Sequence, residues 1–306
     1  MKHHYMAIAA ATILLCACGN IYENTGHDFS LHAPVELTVY ANIADGASSR
    51  VNGVNWEPNA TIGISKTDGI NSKYTLTGNA STPNGTFQAE EGKGIKIENN
   101  TTLTAYYPYR DKLTDDAFII DLFKQTENID LMTAQTTTVI GNGEATATFN
   151  FRHQLSKIKI TVVDEVGLEH FGAENIEITI NNQRTKAVYN VAQNTVDIVK
   201  GSVANGIITL VDTNGADGKV QAEAILLPND LENNPAATDN RQITFNIGGK
   251  LYIYSIPQSH SYRTGKVAKY DIAIKSPTEI SVSATIEDWV TDKDVNGGKP
   301  IEGEAE

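Results

Sequence analysis

Phe149-Asn-Phe-Arg-His-Gln-Leu-Ser-Lys-Ile-Lys-Ile-Thr-Val-Val163 lies at the middle of the chain and changes parity half-way along. In an extended backbone Phe149, Phe151, His153 and Leu155 fall on one side, while Ile158, Ile160 and Val162 fall on the other. A one-residue slip in a period-two pattern turns every later side chain to the opposite face. The stretch therefore requires a bulge or a crossing near Ser156-Lys157. A strand of that kind can leave its two ends in different sheets, so it reads as the seam between two β-rich domains.

The 306 residues have room for both, since domains commonly run about 100–150 residues. Plentiful Thr, Ile, Val, Asn and Gly against only three Met favours strands and turns over helices. The expectation is an all-β chain with an N-terminal sandwich over residues 34–148 and a C-terminal sandwich over residues 149–290.

Toward the N-terminus, Val35-Glu-Leu-Thr-Val-Tyr-Ala-Asn-Ile43 alternates cleanly, with Val35, Leu37, Val39, Ala41 and Ile43 on one face of a strand. Ala44-Asp-Gly-Ala-Ser-Ser-Arg50 follows, a small polar linker of the kind that is exposed and open to proteases. Thr61–Ser65, Lys73–Leu76, Thr86–Ala89, Ile95–Ile97 and Leu103–Tyr109 are further strand candidates, and Leu113–Gln125 has room for one short helical turn. Toward the C-terminus, Gln242–Ile247 and Lys250–Ile256 flank Gly248-Gly249, the sharpest hairpin signal in the chain. Tyr270–Ile274 and Ile280–Ile286 form a last pair, and residues 291–306 are a polar, glycine-rich tail.

The N-terminus is an address. Lys2 supplies a basic start and Met6–Leu15 an apolar run too short to span a bilayer, so residues 1–17 read as an export signal. Ala17 before Cys18, with Leu15 three residues ahead of it, makes a lipobox in which Cys18 is the lipidated residue. The alternative is an ordinary secretory signal with two incidental cysteines. Residues 18–33 are polar and read as a tether. Once Cys16 leaves with the signal and Cys18 is acylated, no thiol remains for a disulfide, and stability rests on the core.

Chemistry is sparse. A formal charge of −13 without a basic patch argues against nucleic acid. There is no G-x-S-x-G elbow and no H-E-x-x-H, so no catalytic residue is assigned. Of His27, His32, His153, His170 and His260, only His153 sits on an apolar strand face, where a hydrogen-bonded structural role is the simpler reading. Asp292, Asp294, Asn296 and Gly297 imitate the start of a calcium loop, but Gly303 stands where a bidentate glutamate belongs. No metal or cofactor is therefore expected. Tyr106, Tyr107 and Tyr109 around Pro108 could form a sugar-stacking platform or be rim packing. Trp56 and Trp289 read as plugs at the ends of sandwich cores.

Together with the lipobox, Arg50-Val-Asn-Gly-Val-Asn-Trp56, Thr61-Ile-Gly-Ile64, Ala105-Tyr-Tyr-Pro-Tyr109, Phe151-Arg-His-Gln-Leu-Ser-Lys157 and Ile280–Trp289 resemble, in order and spacing, the fimbrillin family of Bacteroidales. The resemblance covers roughly residues 35–290. It implies two tandem transthyretin-like β-sandwich domains, export as a lipoprotein, and a non-enzymatic role as stalk, tip, anchor or related adhesin of a pilus. The implied partners are other fimbrillin subunits, outer-membrane lipid through acylated Cys18, and host or bacterial surface glycans or proteins. The implied location is the outer membrane and cell surface, or the fimbrium itself.

The resemblance also implies an assembly route. An arginine-specific protease cuts between Arg50 and Val51, and the strand carrying Val35, Leu37, Val39, Ala41 and Ile43 is exchanged for one from the next subunit. The chain departs from the family pattern at its other end. Val290–Glu306 offers only Val290, Val295 and Ile301 as apolar donor residues, which leaves open an anchor, a tip or a non-polymerising relative, unless Ile280–Trp289 is itself the donor. A surface carbohydrate-binding lipoprotein that works alone is the alternative reading.

Overall fold

The computed structural model describes residues 34–44, 55–66, 69–78, 80–125, 129–168, 171–172, 175–204, 206–212, 219–229, 241–257, 259–276 and 279–288. The signal and tether with Cys18, the Arg50-Val51 bond, Trp289, the calcium-like segment and His27, His32 and His170 lie outside them. Every regular element among the described residues is a strand.

The first ten are β1 (Val35–Ile43), β2 (Thr61–Lys66), β3 (Asn71–Gly78), β4 (Asn84–Ala89), β5 (Lys96–Ile97), β6 (Thr102–Tyr107), β7 (Ala117–Asp121), β8 (Met132–Thr137), β9 (Val139–Gly141) and β10 (Glu144–His153). Nine of them form one sheet in the order β5-β1-β4-β3-β2-β6-β8-β10-β9. A further pairing, β1 parallel to β10 from Leu37↔Ala145 to Ile43↔Phe151, closes that sheet on itself. The enclosed core is centred on Trp56, whose ring meets Phe87, Tyr107 and Phe151 edge-to-face at centroid distances of 5.0, 5.6 and 5.4 Å. Trp56 is thus buried within the first core.

The seam resolves as a crossing. β10 ends at His153, and β11 (Ser156–Asp164) starts after Gln154 and Leu155 as the central strand of a different sheet. Phe149 and Phe151 belong to the first core, and Ile158, Ile160 and Val162 to a second.

The remaining strands are β12 (Ile176–Asn181), β13 (Gln183–Arg184), β14 (Lys186–Asn190), β15 (Thr195–Ile198), β16 (Val203–Ala204), β17 (Ile207–Ile208), β18 (Leu210–Asp212), β19 (Lys219–Leu226), β20 (Gln242–Ile247), β21 (Lys250–Ser255), β22 (Lys266–Ser276) and β23 (Glu279–Asp288). A five-stranded sheet, β18-β19-β11-β22-β23, and a four-stranded sheet, β17-β12-β20-β21, share the second core. The β20–β21 hairpin turns on Gly248 and Gly249 at φ 54° and 86°, values that favour glycine in a two-residue turn.

Leu113–Gln125 holds no helical turn. Asp115 and Asp116, both at positive φ, turn the chain into β7, and its Phe118-Ile119-Ile120 run suits a strand. β7 pairs antiparallel with β14 from Ala117↔Asn190 to Asp121↔Lys186, completing the sheet β15-β14-β7. Beneath it lies a third apolar cluster, in which Tyr106, Ile120 and Leu131 from the first half meet Leu155, Tyr189 and Ile225 from the second.

Candidate functional site: β1 and its groove

The alternation of β1 in the sequence becomes an alternation of environment. Leu37, Val39, Ala41 and Ile43 are buried at 6, 0, 0 and 7% exposure, while Val35 is half-buried and Tyr40 points outward. β10 runs parallel along one side of β1, and β4 runs antiparallel along the other from Val39↔Phe87 to Asn42↔Asn84. β5 takes the start of the strand at Val35↔Ile97. Around the ends, Leu37 N–H donates to Ile95 O at 3.2 Å, Ile43 N–H to Pro83 O at 3.0 Å, and Ala44 N–H to Phe151 O at 2.9 Å. β1 is therefore an internal strand, the one whose parallel pairing closes the sheet.

Small residues shape the groove where β1 lies deepest. Gly85 is paired with Ala41, and a Cβ at Gly85 would come within 2.5 Å of Leu76 Cδ1 and 3.1 Å of Trp56 Cδ1. Leu76, Phe87 and Trp56 share that space, and the Trp56 indole N–H donates to the Ala41 carbonyl oxygen at 3.2 Å. Trp56 N–H in turn donates to Thr82 O at 2.9 Å. On the outer face Asn42 Nδ2 donates to Asn150 Oδ1 at 3.1 Å. Removal of β1 would leave β4 and β10 with unpaired backbone edges and open a trough floored by Trp56, Phe87 and Phe151.

The tyrosines do not form a stacking platform. Tyr106 and Tyr107 are buried because β6 is covered on both faces, Tyr107 by the first core and Tyr106 by the third cluster. The Tyr106 hydroxyl donates to Asn71 Oδ1 at 2.9 Å, and burial pushes its pKa up to about 12. Only Tyr109 of the three reaches the surface region, half-buried and packed at the margin of the third cluster. His153 is buried beside Asp130, with Nδ1 2.9 Å from Asp130 Oδ2, consistent with a structural role.

Two groups at the seam were not singled out in the sequence, Asp130 and Lys157. The Lys157 ammonium is buried and lies 2.7 Å from Glu223 Oε2, and desolvation holds its pKa below the usual lysine value despite that carboxylate. The parity change marks the spot, since a crossing strand is covered on both sides at the crossing. Among the described residues no group of His, Cys, Asp and Glu is arranged to hold a metal ion.

The fimbrillin-like family profile matches residues 49–289. The chain belongs to the fimbrillin-like family. It is a fimbrial, cell-surface subunit of a kind that assembles with other fimbrial subunits. No protein of curated function matches it. Among solved structures it is similar to a candidate cell adhesion protein of Bacteroides uniformis, at 26% identity and a TM-score of 0.64 over 83% of this chain and 98% of that one. It also shares its fold with a candidate cell adhesion protein of Bacteroides ovatus, at 21% identity and a TM-score of 0.67 over 85% of this chain and 99% of that one. The family match begins at residue 49, past the end of β1, and stops just beyond β23, so among the described strands β1 alone precedes the fimbrillin-like region.

Proposed function

We propose that this fimbrillin-like chain is a lipid-tethered pilus subunit whose β1 is a replaceable placeholder, freed by proteolysis after Arg50 and exchanged for a strand of the next subunit. The observation that carries this reading is the position of β1. It contributes a buried apolar row and the pairing that closes the first sheet, yet it stands before the family region and is joined to it through the small polar linker ending at Arg50. An incoming strand with the same alternation would satisfy the same backbone groups of β4 and β10 and fill the same trough.

In this reading Cys18 carries the lipid until the cut separates it from the subunit. The two sandwiches, the first ending with β10 and the second starting with β11, form a rigid building block, consistent with the cluster that Tyr106, Leu155 and Ile225 share. The C-terminal strand β23 is the donor candidate that the tail beyond it is not. Its Ile280, Val282 and Ala284 alternate against the second core at an outer position of the five-stranded sheet.

The test is the N-terminus of the protein recovered from the cell surface, read by mass spectrometry. Chains starting at Val51, with SDS-resistant ladders that vanish in Arg50→Ala, support the proposal. Chains that always start at Cys18 and never at Val51 overturn it. Loss of palmitate labelling in Cys18→Ser checks the anchor separately.

A further inference from the structure

Among the described residues, β21 ends the four-stranded sheet with one backbone edge unpaired, its strand partner there being β20. The two-residue Gly248-Gly249 turn makes Ile247 and Lys250 a hydrogen-bonded pair, which fixes the alternation along the strand. Lys250, Tyr252 and Tyr254 turn their N–H and C=O toward β20. Leu251, Ile253 and Ser255 turn theirs outward. The same two apolar residues have exposed side chains, Leu251 at 58% and Ile253 at 51%, while Tyr252 between them is buried at 5%. Their neighbours on the outer face, Asn246 and Thr244 on β20 and then Glu177 and Thr179 on β12, are polar.

Edge strands are commonly blunted by a central charge, a proline or a bulge. β21 has none of these, and its one charge, Lys250, sits at the strand's first residue.

The geometry points to β21 as a self-pairing edge that joins two copies of this chain, antiparallel, about a two-fold axis through Tyr252. In that register Leu251 of each copy faces Ile253 of the other on the same side of the joined sheet. The facing residues are the ones whose backbone groups point outward, so each pair exchanges both hydrogen bonds. Lys250 meets Tyr254 of the second copy, so no like charges oppose one another. β23, the edge strand of the five-stranded sheet, fails the same comparison. Self-pairing about its midpoint Ser283 would set Glu279 against Glu287 of the second copy. A six-residue strand pair falls well short of the roughly 800 Å² per partner of a standard interface, so the contact is weak in dilute solution and favoured where copies are crowded on one surface or along one fibre. It requires no release of β1.

Sedimentation equilibrium of the purified full chain, carried to millimolar concentration, tests this. A reversible monomer–dimer equilibrium is expected, weakened about tenfold or more by Leu251→Lys or by Ile253→Glu and unchanged by Thr244→Lys on the polar part of the face. Mixing the Leu251→Lys and Ile253→Glu chains should restore association, because the register sets the new lysine against the new glutamate and leaves Ile253 facing Leu251 at the symmetric position. A chain that stays monomeric throughout overturns the proposal. So does a dimer indifferent to both substitutions, or one that the mixture does not rescue.

Discussion

The indole N–H of Trp56 donates to the Ala41 carbonyl oxygen at 3.2 Å, tying the strand before the linker to a buried residue after it. Trp56→Phe keeps an aromatic ring against Phe87 and Phe151 but withdraws the donor from a buried carbonyl, an expected loss of about 1–3 kcal/mol. Trp56→Ala, which also leaves a cavity, should lose about 3–5 kcal/mol. Urea unfolding measures both. In the Phe variant hydrogen exchange should quicken at the amides of β1 first. Uniform exchange across the first sheet would mean that the indole does not hold β1.

Gly63→Ala is expected to destabilise, although alanine usually improves on glycine inside a strand. A Cβ at Gly63 would lie 2.3 Å from the Tyr106 ring, and Tyr106 is fixed by its bond to Asn71 and by the aromatic rings of Phe118 and Tyr189. Overpacking of this kind loses about 1–3 kcal/mol. A thermal midpoint at or above that of the parent would show that Tyr106 can move aside.

Strands whose faces see different environments were legible in the sequence. Val35–Ile43 alternates because one side of β1 is core and the other solvent, and the parity change after Leu155 is the sheet-to-sheet crossing itself. Gly248-Gly249 was legible because a two-residue turn needs positive φ at both positions. Partners were not. Nothing local in Leu37 names Ala145, and nothing in Ile119 names Val188, since such pairings depend on which distant strand reaches the edge. β8 went unread because only Met132, Thr133 and Ala134 of its six residues are buried. The tyrosines after Ala105 were misplaced for a related reason. A strand covered on both faces loses the polar alternation that would have marked it as internal.

Alkaline pH should destabilise the fold through its tyrosines. Burial raises the pKa of Tyr106 and Tyr270 to about 12 and moves Tyr107, Tyr189 and Tyr262 up as well. A raised folded-state pKa means that, above the ordinary tyrosine value, the unfolded chain gives up protons the folded chain retains. The stabilisation is complete below about pH 10 and is lost as pH rises through the folded values. Tyrosinate absorbance should therefore rise in two steps, exposed rings first and the buried group only with loss of β-sheet circular dichroism. A single smooth titration with the fold intact would contradict this.

At the seam the asymmetry of one ion pair makes a prediction of its own. The Lys157 side chain is 1% exposed and that of Glu223 29%, with 2.7 Å between the charged atoms. Deleting the carboxylate leaves a buried ammonium without it, whereas deleting the ammonium leaves a carboxylate that can turn toward water. Glu223→Gln should therefore lose about 3 kcal/mol or more, and Lys157→Met, which keeps an apolar stem in the crossing, less than about 1 kcal/mol. The pH signature runs opposite to that of the tyrosines. Desolvation is the largest influence on Lys157 and lowers its folded pKa, with Glu223 opposing, so the unfolded chain binds the proton more tightly over the window just below the ordinary lysine value. In that window Lys157 contributes a slight rise of stability with pH that opposes the tyrosine loss, and Lys157→Met should remove that contribution. Equal losses from the two substitutions would place the stabilisation in the pair's attraction and not in the burial of Lys157.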